Sequence, residues 1–165
     1  MMAGHMVSLP IARSAIELPD SAVRPSEWRI THVLSDQCLC SRNVIEYLSA
    51  RNPSDGIEEW VALLDSGSET ANELRALGFQ VIEANGEAFR ADYGSEGVPY
   101  FQIKDSEGSL RFSGGYAPSG SIGQLSDLDT LERMRRGASV EEMPVIGCAT
   151  SERLKSALDP FSFKY

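Results

Sequence analysis

With 165 residues, 42% of them hydrophobic and 24% charged, the chain is long enough for one globular domain with modest extensions and a buried core. A formal charge of -9 at pH 7 repels phosphate, which counts against nucleic acid or an anionic membrane surface as the main partner. Three cysteines, an odd number, do not make a disulfide framework, and composition alone leaves the compartment open.

No run approaches the roughly 18 apolar residues of a membrane span, and no stretch has the order of a secretory signal. The opening MMAGHM, with Gly4, His5 and Met6, looks like an expression-tag scar. That leaves room for a signal or a membrane anchor ahead of the natural sequence, and His5 is set aside. Residues 1–26 mix Pro10, Pro19 and Pro25 with small and polar residues and hold no period, so they read as a tag remnant followed by a linker or loosely packed arm. From Trp28 the segment WRITHVLS alternates, with Ile30, His32 and Leu34 on one face, as a strand does. Two cysteines, Cys38 and Cys40, follow it. Val44, Ile45, Tyr47 and Leu48 then recur at helical spacing until Asn52 and Pro53 stop the helix.

EEWVALLD, residues 58–65, is an apolar run suited to a buried strand. Ser66 and Glu69 stand at capping-box spacing before a helix marked by Ala71, Leu74 and Leu77 and ended at Gly78. FQVIEA is the next strand, and NGEAFRADYG gives one or two helical turns. GVPYFQIKD and LRFSGGY form two β runs separated by Ser106, Glu107 and Gly108, a hairpin signal. A last helix is predicted over 120–136 from Leu125, Leu128, Leu131 and Met134. Its final turn holds Arg133, Arg135 and Arg136, where cations favour the negative end of the macrodipole. Alternating βαβ units call for parallel strands covered by helices, and the hairpin adds an antiparallel edge, giving an α/β sandwich with a mixed sheet.

Two stretches together carry a resemblance. SDQCLCS ends the first core strand and opens a helix, and YGSEGVPYFQIKDSEGSLRFSGGY follows the βαβ units with Gly97-Val98-Pro99 and a hairpin closing on Gly114 and Gly115. In this order they resemble the thioredoxin-like superfamily across roughly residues 27–137, with residues 138–165 as a C-terminal extension. The resemblance implies a three-layer sandwich, a cis-proline at Pro99 and thiol-disulfide exchange without an organic cofactor. The usual C-x-x-C is replaced by Cys38-Leu39-Cys40, which is similar to a CxC-Ser group of bacterial envelope proteins. It implies a cysteine-containing protein as substrate or redox partner, in the periplasm or cell envelope.

A cysteine at a helix N-terminus is favoured as thiolate by the backbone N-H groups and the helix dipole. Cys38 is expected to be the more exposed and to attack a substrate disulfide, with Cys40 resolving the mixed disulfide. An i,i+2 pair reaches disulfide geometry only in a strained turn, so a potential on the order of -200 mV or above is expected. Val98, before Pro99, would offer its backbone to an extended substrate chain. His32, six residues before Cys38, is a candidate proton relay to the inner thiol, against the plainer reading of a satisfied core histidine. Asp36 and Gln37 shape the turn. Cys148, in MPVIGCATSERLKSALDP, is either a buried small hydrophobe or a third thiol folded back onto the pair, ahead of a short helix capped by Thr150 or Ser151 and ended at Asp159-Pro160.

Alternatives remain open at this level. Cys38 and Cys40 with Cys148 or His32 would suit Cu(I) in a copper-delivery module, and all four would be needed for structural zinc. Ser35, three residues before Cys38, suggests a thiol peroxidase, although Thr31 stands where a proline is expected. A noncatalytic interaction domain is the remaining possibility.

Overall fold

The computed structural model describes residues 8–19, 27–117 and 125–161. Its main sheet has five strands in the order β3-β2-β1-β5-β6: β1 is Trp28–Leu34, β2 Ile57–Leu64, β3 Gln80–Ala84, β5 Tyr100–Lys104 and β6 Leu110–Gly114. The central β1 runs parallel to β2, with Trp28 opposite Ile57 and Leu34 opposite Leu63, and antiparallel to β5, with Ile30 opposite Ile103. β2 and β3 are parallel, and the hairpin β5-β6 is antiparallel. The helices are α1 Leu39–Ser49, α2 Ser68–Ala76, α3 Gly86–Tyr93, α4 Asp127–Arg135 and α5 Glu152–Leu158. Two two-residue strands, β4 Gly97–Val98 and β7 Cys148–Ala149, pair with each other outside the main sheet.

Side chains alternate across a strand, so the sheet builds a core on each face. Ile30 and Leu34 of β1 and Val61 and Leu63 of β2 pack with Val44 and Leu48 of α1, Ala71 and Leu74 of α2 and Leu131 of α4. Val33, Ala62, Leu64 and Tyr100 point the other way, toward Phe89 of α3. The mixed α/β sandwich expected from the sequence is the fold found.

Element ends follow local chemistry. Asn85 caps α3 by accepting from the backbone N-H groups of Glu87 and Ala88, and Gly94 closes that helix in the left-handed region at φ 71. Ser151 caps α5 by accepting from Leu154 N. Arg133 and Arg135 sit in the last turn of α4, as the macrodipole reading expects. That helix begins at Asp127 rather than near 120, and 118–124 lie outside the described residues, as does the MMAGHM opening.

Over its described residues, 8–19, the N-terminal arm is not loosely packed. Leu9, Ala12 and Ile16 are buried in the second core, joined there by Val145, Ala149 and Leu154 from the C-terminal extension. The reason is a polar clamp that composition does not reveal. Buried Gln102 of β5 accepts from Ile16 N at 3.0 Å and donates to Ser14 O at 2.9 Å and Ala12 O at 3.3 Å. Leu9 N then donates to Val145 O at 2.8 Å, so arm and extension hold one another. Gln102→Leu strands these backbone groups and is expected to cost about 1–3 kcal/mol, with faster proteolysis near residues 12–16 as the readout. Unchanged proteolysis would show that apolar contacts alone hold the arm.

Candidate functional site

β1 delivers the chain to a turn that is tied from several sides. Cys38 N donates to Ser35 O at 3.0 Å, and Ser35 Oγ accepts from Gln37 N at 3.3 Å. Asp36 Oδ2 accepts from Gly67 N at 2.8 Å and Thr70 Oγ1 at 3.2 Å, and Ser66 Oγ accepts from Asp36 N at 2.9 Å. Ser66 therefore does not cap α2, whose N-cap is Gly67 with no side-chain bond. Its hydroxyl anchors the cysteine turn instead.

Cys38 is the N-cap of α1, with Leu39 and Cys40 in the first turn. The exposures expected for the two thiols are reversed. Cys38 is 1% exposed, Cys40 is half-buried, and Leu39 between them is 68% exposed. The cause is what lies over Cys38. The Val98–Pro99 peptide bond is cis, and Val98 O stands 3.8 Å from Cys38 Sγ, within reach of a weak S-H donor. Beyond it, β7 runs antiparallel to β4 with Val98 opposite Cys148 and Gly97 opposite Ala149. The backbone edge of Val98 that an extended substrate would use is thus filled by the chain's own C-terminal extension.

The Cys38 thiol is drawn far below the ordinary thiol range. Hydrogen bonds from the side chains of Cys148 first and Cys40 second favour the thiolate, burial opposes it, and the backbone N-H and hydroxyl of Ser41 favour it further. Ser41 Oγ is buried and makes no hydrogen bond to the neutral thiol, so it is available to a charged sulfur. None of the three cysteines is in a disulfide.

His32 lies elsewhere. It packs on the α1 side of β1, where Nδ1 meets Tyr116 Oη at 2.6 Å and Nε2 meets Glu59 Oε2 at 3.3 Å. Both ring nitrogens are committed, so neither is left to serve a thiol as a relay. Arg51 holds Glu59 at 2.8 Å and Asp127 at 3.2 Å, and Tyr47 Oη donates to Asp127 at 3.2 Å. Burial raises the Glu59 carboxyl, but hydrogen bonds from His32 and Arg51 outweigh it and bring the group down to about 2. Sequence reading missed this cluster. Its signal was a glutamate in the apolar run of β2, on the face shared with Val61 and Leu63.

Metal readings fare accordingly. A zinc site built from three cysteines and His32 does not assemble, because His32 faces the other core. Among the described residues, the one trio whose ligand atoms all lie within 4.8 Å of one another is His32, Glu59 and Asp127. There the Arg51 guanidinium already spans both carboxylates and fills the place of a cation. For copper, the fold supplies Cys148 as a neighbour of Cys38 and withholds His32, and the three sulfurs do not meet that 4.8 Å measure.

The backbone matches a hypothetical protein of Sinorhizobium meliloti with a TM-score of 0.57 at 18% identity, covering 87% of this chain and 94% of that one. A conserved protein of Geobacillus kaustophilus matches with 0.57 at 14% identity, over 76% and 77% of the two chains. A thioredoxin-related protein of Neisseria meningitidis serogroup B matches with 0.45 at 17% identity, over 70% and 93%. The five-stranded mixed sheet flanked by helices is the thioredoxin-like fold expected from the sequence. No protein-family model and no curated protein sequence matches the chain. Within the thioredoxin-like frame, the arm and the C-terminal extension are integral to the second core, and β7 brings a third thiol to the cysteine turn. No helix of the described residues is long and apolar enough to cross a membrane.

Proposed function

We propose that the chain exchanges disulfides with cysteine-containing proteins through a redox pair that always includes Cys38, with Cys40 as the thiol that partners reach. The observation that carries this reading is the Cys38 sulfur, buried at the N-terminus of α1 and stabilised as thiolate by Cys148, Cys40 and Ser41. A stabilised thiolate is a good leaving group, so a bridge through Cys38 is opened readily by an attacking thiol. In the oxidising direction a substrate thiolate attacks the partner sulfur of Cys38, and Cys38 departs as thiolate. A second substrate thiolate then releases the enzyme dithiol and leaves with a new disulfide. Two substrate thiols become one disulfide, the protein gains the two electrons, and no organic cofactor takes part. The periplasm or cell envelope of a bacterium, with the protein free or membrane-anchored, is the compartment where such bridges persist.

The test is thiol counting by alkylation and intact mass across a glutathione redox series. Stabilisation of the reduced form predicts a two-electron step on the order of -200 mV or above, and a value below about -270 mV overturns the oxidising assignment. The pH profile gives a second check. An ordinary thiol, with a pKa near 8.5, loses about tenfold in thiolate for each unit below that value. With Cys38 drawn down, the step in which Cys38 attacks a mixed disulfide on Cys40 stays flat with pH from 8 to below 6. A tenfold fall per unit across that range would mean that Cys38 attacks as an ordinary thiol.

A further inference from the structure

The pairing of β7 with β4 places one cysteine where an incoming chain would lie, and that cysteine belongs to the protein itself. Cys148 is the register partner of Val98, and Val98 O is the atom that Cys38 Sγ approaches at 3.8 Å. Cys148 packs against the same second core in which Cys38 is buried, and its side chain is the first cause holding the Cys38 thiol down. The segment holding it is firmly built. Thr150 N donates to Glu96 O at 2.9 Å, the Ser151 hydroxyl and the Arg153 guanidinium both bind the Glu96 carboxylate, and Glu152 N donates to Glu87 Oε1 at 2.7 Å. At Gly147 the approach is so close that a β-carbon would stand 1.9 Å from Val98 O. Backbone contact of this kind fixes where the next side chain sits.

Cys38 therefore has two thiol neighbours of different quality. Cys40 is its i+2 neighbour, and a bridge between them would have to bend the first turn of α1. Cys148 comes from a facing strand, with no short loop to strain. We propose that Cys148 is a built-in resolving thiol, and that the oxidised protein carries a Cys38–Cys148 disulfide that fastens β7 over the cysteine turn while Cys40 stays free. The proposal rests on the exchange reading and names the partner of Cys38 within it. Oxidation by a disulfide such as oxidised glutathione then runs in three balanced steps. The Cys40 thiolate attacks the incoming disulfide and releases one glutathione thiolate. The Cys38 thiolate attacks the Cys40 sulfur and releases the second. The Cys148 thiolate attacks the Cys38 sulfur, forming the 38–148 bond and freeing Cys40 as thiolate. Protons from the two consumed thiols end on the two glutathiones.

The sequence makes the products easy to tell apart. Trypsin leaves Cys38 and Cys40 together in residues 30–42 and Cys148 in residues 137–153. The full chain is equilibrated with oxidised glutathione, alkylated, digested without reduction and weighed. The expected product joins the two peptides, with one alkylated cysteine in 30–42; it persists in Cys40→Ser under a small-molecule oxidant and is lost in Cys38→Ser. A disulfide inside 30–42 with Cys148 alkylated would overturn the role of Cys148 and leave the exchange reading standing. Three alkylated thiols at every redox ratio would overturn both. Gly147→Ala moves β7 off Val98 without touching a thiol, and should slow formation of the joined product about a hundredfold, the usual effect of a misplacement near 1 Å. An unchanged rate in that variant, with β7 displaced by hydrogen exchange, would also overturn the proposal.

Discussion

Cys38→Ser is expected to lower disulfide exchange with a protein substrate by about a thousandfold or more, the scale on which loss of a reacting nucleophile is felt. The variant should also retain partner proteins as mixed disulfides on Cys40. The argument is geometric. The side chains of both other cysteines favour the Cys38 thiolate, and on the exchange reading the internal bridge passes through it. On the exchange reading Cys40, half-buried beside the exposed Leu39, is the thiol that a partner meets first. Without Cys38 there is no thiolate to displace that partner. Sequence reasoning predicts the reverse: there Cys38 attacks, and Cys40→Ser is the variant that traps. Non-reducing electrophoresis of both variants against one disulfide-bonded substrate separates the two orders, and trapping confined to Cys40→Ser would return the attacking role to Cys38.

The reversal shows where sequence stops being legible. Long elements announced themselves through period and punctuation: β1 by alternation, α1 by helical spacing ended at Asn52 and Pro53, β2 and β3 by apolar runs. The C-terminal extension carries a readable cap at Ser151 and an apolar Val145, yet β7 is only two residues long and has no period to detect. Its partner Val98 lies far along the chain, so the burial of Cys38 is a tertiary event that local pattern does not contain. The arm misled for the same reason. Its prolines and small residues suggest looseness, whereas the ordering comes from Gln102, a side chain on a distant strand. His32 was legible as a buried histidine on an apolar face, which is the plainer of the two readings the sequence offered. Its actual neighbours, Tyr116, Glu59 and Asp127, come from three separate segments.

That buried cluster sets the second large effect. Glu59→Gln is expected to lower unfolding free energy by about 3–5 kcal/mol near neutral pH, because it leaves the Arg51 and His32 groups facing a partner without charge. The sign of the pH dependence follows from the direction of the shift. Glu59 titrates near 4.5 when unfolded and at about 2 in the fold, so its folded-state pKa is depressed. Its contribution, about 3 kcal/mol for a shift of this size, is complete above pH 4.5 and drains away as pH falls toward 2. Wild type and Glu59→Gln should therefore differ most at pH 7, and their urea midpoints should converge between pH 4.5 and 2, where protonated Glu59 resembles the amide. Arg51→Ala should show the same convergence, since it removes the cation that holds the carboxylate charged. A gap that stays constant with pH would assign the loss to packing against Tyr47 and Phe79, over whose rings the Arg51 guanidinium lies at 5.0 and 5.7 Å. Either way the cluster acts on stability through the first core. The thiols sit with the second, so exchange rates measured on folded Glu59→Gln should match the parent.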